Sequence, residues 1–509
     1  MRPSGPIVVS AVLLLAGCAT SSIDMAPERP DRPWTPTVDA AGEIVAGAKP
    51  APPSADQDTY VLPGNTRAAD LPVAPQIDHE RAYSLVELID IAESSNPLTR
   101  IAWNNAREVA LAAGIVRSTY LPKLTASVIG GRQSSHNHGS AAGVSGSKDV
   151  SSDGVISALS LQWLLFDFGQ RAAVVSAAEQ ASVMSNVAFT AVHQQVIHEV
   201  SLAFYAHAAS RARVENATRS LKNAQEVQAA AEQRFAHGVG TVIEVSQARQ
   251  ATAQARLAQV QAEGATENTY LLLISAMGVS PTTRIKIADI SDRKLPAAMP
   301  SSLEPIIADA LARRPDVLSA YAAQRASEEN VRAARAEFLP KFFLSATGAY
   351  NSSNVDVTTI PSVGEQSPTV NLTQHGFGNT ILAGVTVPIF DGGTRRARLK
   401  QTQAKADNAA AILTRTKEEA VRQIALAANT LRTSLSAYDA STELAAAAQT
   451  TFDAALAAYR NGVGPITDVT LAESQLLLAN TVSTDAHSAA LSSAATFALA
   501  AGTLGSAPQ

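Results

Sequence analysis

Two stretches of the chain, Gln170 to His237 and Thr394 to Asn461, each run for 68 residues without a glycine or proline, mixing polar positions with scattered apolar and small ones. A single helix of that length would extend about 100 Å at 1.5 Å per residue, longer than an ordinary globular domain. Each stretch ends at a glycine pair, Gly238-Val239-Gly240 or Gly462-Val463-Gly464, and a further helical stretch of about 37 residues follows, to Met277 or to Ala501. Glycine after a long periodic run stops and turns a helix, so the pattern predicts two long helical hairpins. A shorter helical piece precedes each hairpin, from Leu98 to Thr119 and from Asp316 to Phe338.

Between each short piece and its long helix the pattern changes. Segments of about 11 residues, Lys123 to Ser134 and Val155 to Phe166, flank a Gly/Ser/His-rich loop, and Lys341 to Asn351 and Thr380 to Phe390 flank a polar loop with Pro361 and Pro368. Their length and mixture of apolar with small polar residues fit membrane-crossing strands with longer outer loops. Aromatics gather at their ends, with Tyr120, Trp163, Phe166 and Phe168 in one set and Phe338, Phe342, Phe343 and Phe390 in the other, as in the girdles at membrane interfaces. Two soluble hairpins packed on helices are the alternative. Four strands cannot close a barrel and open edges are not tolerated in lipid, so a membrane role requires other copies of the chain.

The two sets are related by duplication. Asn96-Pro97 matches Arg314-Pro315, and Tyr120-Leu121-Pro122-Lys123 matches Phe338-Leu339-Pro340-Lys341, at an offset of 218. At an offset of 224, Phe166-Asp167-Phe168-Gly169-Gln170-Arg171 overlies Phe390-Asp391-Gly392-Gly393-Thr394-Arg395, and Phe235, Gly238, Gly240 and Val245 overlie Tyr459, Gly462, Gly464 and Val469. A repeat this long is a duplicated domain. The division is a first repeat over 82–278, a linker over 279–301, a second repeat over 302–504 and a tail over 505–509.

Composition narrows the picture further. The 509 residues include 97 alanines and only 5% aromatics, which suits closely packed long helices. The net charge is -5, without a basic run, so a nucleic-acid partner is unsupported. The single cysteine, Cys18, precludes an internal disulfide and a Cys-cluster zinc site. It follows the apolar run Ile7 to Leu15 and the small residues Ala16-Gly17, the layout of a signal peptide over 1–17. Small residues before a lone cysteine resemble a bacterial lipobox, which implies lipidation of Cys18, and Ala19 after it favours the outer membrane by the same resemblance. An ordinary signal peptide with an incidental cysteine is the alternative. Residues 18–81, with ten of the 25 prolines between Pro27 and Pro75, read as an extended tether or as a tail without a task. No later segment has 18 consecutive apolar residues.

Catalytic patterns are weak. Gly238-Val239-Gly240-Thr241 has no following lysine and comes after a helix, unlike a phosphate loop. His136 and His138 lack further metal ligands in the sequence, and His193 and His198 are five apart, off a shared helical face. Neither Gly-x-Ser-x-Gly nor HExxH occurs. The chain therefore reads as a non-enzyme with no cofactor and no metal.

The doubled layout of helix, strand pair and long hairpin, with Phe390-Asp391-Gly392-Gly393 and Tyr459-Arg460-Asn461-Gly462-Val463-Gly464, resembles the TolC-like outer-membrane efflux proteins over residues 82 to 504. The resemblance implies a mainly α homotrimer, with twelve strands in one membrane β-barrel and the hairpins in a hollow periplasmic α-barrel. It implies a passive exit duct for small molecules, joined by a periplasmic adaptor to an inner-membrane pump. Alternatives are a duct for polypeptide (type I) secretion and, from another class, a structural coiled-coil lipoprotein. The two turns, Gly238-Val239-Gly240 and Gly462-Val463-Gly464, would form the tip that meets the adaptor. Asp468 would form a carboxylate ring near the narrow end, and Glu244, its equivalent in the first half, would accept a hydrogen bond from Tyr459 and hold the tip closed. Leu471 and Gly464 stand where some relatives carry a second acid and a basic tether.

Overall fold

A computed structural model of the chain describes residues 77–289 and 302–505, apart from 79, 142–143, 352–356, 360–369 and 373–375, together with residue 295 and scattered residues between 26 and 69. The chain divides into two units, residues 1–76 and 77–509. In the first unit Val38 and Ile44 form an antiparallel bridge around Gly42, and Asp39 Oδ1 accepts from the amides of Ala41 at 2.8 Å and Glu43 at 2.9 Å.

The second unit runs β1 (Ala82–Tyr83), α1 (Leu85–Ser95), α2 (Pro97–Arg117), β2 (Lys123–Ala141), β3 (Val144–Phe166), α3 (Gln170–Ala236), α4 (Val242–Ala276), β4 (Lys286–Ile287), α5 (Glu304–Arg313), α6 (Pro315–Ala336), β5 (Lys341–Asn351), β6 (Val357–Thr359), β7 (Val370–Leu372), β8 (Gly376–Thr386), α7 (Thr394–Arg460) and α8 (Ile466–Ala500). The long helices α3 and α7 have 67 residues each, and α4 and α8 have 35.

Several boundaries differ from those expected. The short helices begin at Pro97 and Pro315, because proline, with its φ already helical and no amide to satisfy, suits the first helical position. Helices α1 and α5 were not anticipated; Ser84-x-x-Glu87 is a capping pattern, and Glu87 Oε2 accepts from the Ser84 amide at 2.8 Å. Much of the Gly/Ser/His-rich segment is strand, with pairing that continues from Lys123↔Gln162 to Ala141↔Val144. The ladder needs only main-chain donors and acceptors, so a small polar composition does not interrupt it. The fourth strand spans Gly376–Thr386, and Val387-Pro388-Ile389-Phe390 lies beyond it. Pro388 has no amide to give to a ladder.

Strands β2, β3, β5 and β8 form one antiparallel sheet in that order. Its registers place Leu124 and Val128 of β2, Leu159 and Trp163 of β3, Phe342 and Tyr350 of β5, and Phe377, Ile381 and Val385 of β8 on one exposed face. The opposite face carries Gln162, Ser160, Ser345, Thr347 and Thr380. Apolar-out, polar-in alternation is the pattern of a membrane barrel and sets aside the soluble-hairpin alternative. Gly384 lies under the Phe343 ring, where a Cβ would come within 2.6 Å of Cζ.

Each strand pair passes into its long helix through the same junction. Asp167 Oδ2 accepts from the Arg171 amide at 3.0 Å and its Nε at 2.9 Å, and Asp391 Oδ2 does the same for Arg395 at 2.9 and 2.8 Å. Left-handed Gly169 (φ 91) and Gly393 (φ 89) precede the two helices.

Along α3 a buried stripe of Ala217, Ser220, Ala224, Val227 and Ala231, three or four residues apart, faces small and apolar residues of α8. Small side chains let the backbones approach closely, which explains the alanine content. At one end of the hairpins Val227, Ala231, Val245, Ala248, Phe452, Leu456, Tyr459, Ile466, Val469, Ala472 and Leu476 join both hairpins in one apolar cluster. At the other end α1 packs Leu88 and Ala92 against Val196, Val200 and Phe204 of α3 and Leu273 and Ile274 of α4. Among the described residues, no helix is long and apolar enough to cross a membrane.

Candidate functional site: the paired hairpin tips

Both turns are built alike. After α3, the Gly238 amide donates to Phe235 O at 3.0 Å and the Val239 amide to Arg234 O at 3.0 Å; after α7, the Gly462 amide donates to Tyr459 O at 3.0 Å and the Val463 amide to Ala458 O at 3.0 Å. This pair of bonds satisfies the carbonyls left over at a helix end and requires a left-handed residue. Gly238 (φ 75) and Gly462 (φ 80) supply it. Gly240 and Gly464 do not have positive φ. They serve close approach instead: a Cβ on Gly240 would lie 2.8 Å from the Phe235 amide nitrogen, and one on Gly464 3.2 Å from Ala458 Cβ. Val239 and Val463 stand out at the turns, 67% and 81% exposed.

The second helices start differently. Thr241 Oγ1 accepts from the Glu244 amide at 3.2 Å and caps α4, whereas Pro465 occupies the cap position of α8 and offers no side-chain bond. Asp468 lies exposed in the first turn of α8, where a carboxylate also complements the helix dipole. Leu471 is exposed one turn on.

Tyr459 joins the two hairpins. Its side chain is fully buried, and its hydroxyl donates to Glu244 Oε2 at 3.3 Å. Burial first, and then the adjacent carboxylate, raise the phenol above its ordinary pKa, so it remains a donor at neutral pH. Asp468 is not part of this contact.

Sequence reasoning missed three charged residues at the same place. The Arg234 guanidinium lies over the Tyr459 ring, 4.9 Å from its centroid, and Nη1 donates to Tyr459 O at 3.0 Å. Its Nε is buried with no hydrogen-bond partner among the described residues. Arg460 Nη2 donates to Glu226 Oε2 at 3.2 Å, a second tie between α7 and α3. Beside these residues Gln233, Arg234, His237, Arg460 and Asn461 line a groove of about 940 Å³ between the tips. A signal was present in the duplication: at an offset of 224, Arg234 stands over Ala458 and Arg460 under nothing larger than Ala236, so these arginines are not part of the shared repeat. Cys18 lies outside the described residues.

Comparison with known proteins agrees with this architecture. Residues 88–279 and 306–503, the two repeats, each match the outer membrane efflux protein family. Protein CyaE of Bordetella pertussis is 28% identical over 424 residues, which cover 81% of this chain and 82% of that protein. Outer membrane protein OprJ of Pseudomonas aeruginosa is 27% identical over 386 residues, covering 74% of this chain and 75% of OprJ. A crystal structure of a membrane protein from Pseudomonas aeruginosa superposes with a TM-score of 0.68 at 25% identity, covering 82% of this chain and 93% of that one. The matched repeats span well over half of the chain. It therefore belongs to the outer membrane efflux protein family, as an efflux channel in which three copies complete a β-barrel in the outer membrane with four strands each and build an α-barrel in the periplasm from their hairpins.

Proposed function

We propose that this channel is the passive exit duct for small molecules of a tripartite system, that a periplasmic adaptor meets its hairpin tips, and that an inner-membrane pump supplies the energy. The observation that carries this reading is the buried Tyr459 hydroxyl bonded to Glu244 across the two hairpins, whose turns expose Val239 and Val463. Such a bond restrains the narrow end, and Val239 and Val463 offer the adaptor an apolar contact on Gly238, Gly240, Gly462 and Gly464 turns. Three copies of Asp468 around the trimer axis form an acidic ring that attracts cations at the entrance.

Cys18 is the lipidated first residue of the mature protein in this reading. Two acyl chains, at about 0.8 kcal/mol per buried methylene, anchor the N-terminus beside the barrel. An intact mass showing an unmodified mature N-terminus would refute the lipid.

The duct itself is tested by reconstituting the trimer in a bilayer and recording single channels. Loosening the tip by Tyr459→Phe is expected to raise conductance. Unchanged currents in Tyr459→Phe and in Asp468→Asn place the gate away from these residues.

A further inference from the structure

The first strand pair is longer than a membrane crossing needs. Strand β3 pairs with β5 only as far as Ile156↔Asn351, while its pairing with β2 continues from Gly130↔Val155 to Ala141↔Val144. These last pairs form a two-stranded ribbon at the end of the sheet away from the long helices, since β2 follows α2 and β3 leads into α3. At about 3.4 Å per residue the ribbon runs roughly 40 Å. Along the face that carries Leu124, Val128, Leu159 and Trp163 nearer the helices, the first charged pair is Arg132↔Asp153, which marks the ribbon as lying beyond the apolar band. Half of residues 130–155 are glycine or serine. A two-stranded ribbon held by main-chain pairing alone is marginally stable in water, so a tie between its strands would have a clear effect.

Sequence spacing gives His136 and His138 no third ligand, but the strand register does. His136 is directly opposite Asp149, and His138 is directly opposite Ser147. Alternate residues of a strand share a face, so His136, His138 and Asp149 occupy adjoining positions on one face of the ribbon. Directly opposed residues have Cα atoms about 4.5–5.5 Å apart, and second neighbours along one strand are about 7 Å apart. The three positions therefore make a compact triangle drawn from both strands. Two histidines and one carboxylate, with water in the fourth place, are a donor set that zinc uses, and imidazole nitrogen favours such ions over magnesium and calcium. Asp153 on the same face is opposed by Arg132, whereas Asp149 is opposed by a histidine, and Lys148 belongs to the other face.

We propose that His136, His138 and Asp149 form a site for one divalent transition-metal ion, of the chemistry of zinc, which ties β2 to β3 outside the membrane. Because the ligands come from both strands, binding requires the paired register and in turn stabilises it.

The test uses the full-length trimer, purified without a polyhistidine tag, stripped with a chelator and titrated with zinc in a calorimeter. The expected result is one ion per chain. His136→Gln with His138→Gln should abolish this site, and Asp149→Asn should weaken it by more than about tenfold, the loss that even a partner behind the ligands brings. Ser147→His, which adds an imidazole opposite His138, should tighten binding, while Lys148→His on the other face should not. Asp468→Asn should leave the site unchanged, which separates it from any cation held at the hairpin tips. Zinc should also slow tryptic cleavage after Lys148 in the wild type and not in Asp149→Asn. Each variant is first shown to run as a trimer on an unheated gel, so that lost zinc is not lost fold. A wild type that binds no more zinc than the double histidine variant overturns the proposal. Binding indifferent to both Asp149→Asn and Ser147→His also overturns it, since that affinity would belong to two histidines without the register.

Discussion

Asn96 and Arg314 occupy the same position in the two repeats and perform the same task with different chemistry: Asn96 Nδ2 donates to Ala276 O at 3.0 Å, and Arg314 Nη1 donates to Ala500 O at 2.9 Å. Each side chain stands before a helix-starting proline and satisfies a carbonyl at the end of its own repeat's hairpin. Arg314 also holds Asp316 at 2.7 Å and Gln423 at 2.7 Å. Replacing Asn96 by alanine is expected to cost about 1–2 kcal/mol, for one cap bond and one buried carbonyl left unmet. Arg314→Ala is expected to cost more, because several bonds to a charged group go at about 1.5–3 kcal/mol each before relaxation. Thermal dissociation of the trimer on unheated gels should rank Arg314→Ala below Asn96→Ala, and both below the wild type.

Removing the Tyr459 hydroxyl and removing its ring are expected to have different effects. Tyr459→Phe deletes the bond to Glu244 and keeps the surface under Arg234, so conductance should rise with little change in stability. Tyr459→Ala also opens a cavity beneath Phe452 and Val469, at about 3–5 kcal/mol for a large core side chain. That variant should lower trimer stability, as read by the temperature of dissociation.

Asp468→Asn is expected to reduce cation over anion selectivity and to weaken block by divalent cations, measured as a shift in reversal potential under a salt gradient. With Leu471 in place of a second acid one turn on, the site has one carboxylate per chain. The neutral variant should therefore lose most of the tip's cation preference in a single step.

Gly240 and Gly464 differ in the space around them. A Cβ at 240 meets backbone at 2.8 Å, whereas one at 464 meets the Ala458 methyl at 3.2 Å. Gly240→Ala should displace the first turn and reduce adaptor capture, while Gly464→Ala should disturb the second turn less, because only the Ala458 methyl has to give by a few tenths of an ångström. Bulky residues at both positions should abolish export with the trimer intact, because the turns lie far along the hairpins from the barrel.

Glu473 gives a pH dependence whose sign is fixed. It accepts a hydrogen bond from Ser220 across the α3/α8 seam, and burial raises its pKa from the ordinary 4.5. A carboxyl with a raised folded pKa favours the folded state fully below the unfolded value and loses that contribution as pH rises through the folded one. Stability should therefore decline between pH 4.5 and the raised pKa. Glu473→Gln keeps a polar group for Ser220 without the charge, and should remove this decline in a melting series across pH.

Much of this protein was legible in the sequence because its elements are long and repeated. An absence of glycine and proline over 68 residues, ended by a glycine pair, determines a helix and its turn through local backbone energetics alone. The offsets of 218 and 224 determined the duplication, and alternating apolar and small polar positions determined a sheet with two different faces. Tertiary structure decided what local rules do not encode. The first strand pair extends beyond its apolar part because main-chain pairing tolerates a polar sequence. The second glycine of each turn is small because of what lies across from it, not because of its own φ. The duplication marks Arg234 as a departure from the repeat, but its partner Tyr459, 225 residues away, was decided by the packing of the two hairpins, since a contact between distant segments depends on the relative placement of whole helices and leaves no periodic trace in either one.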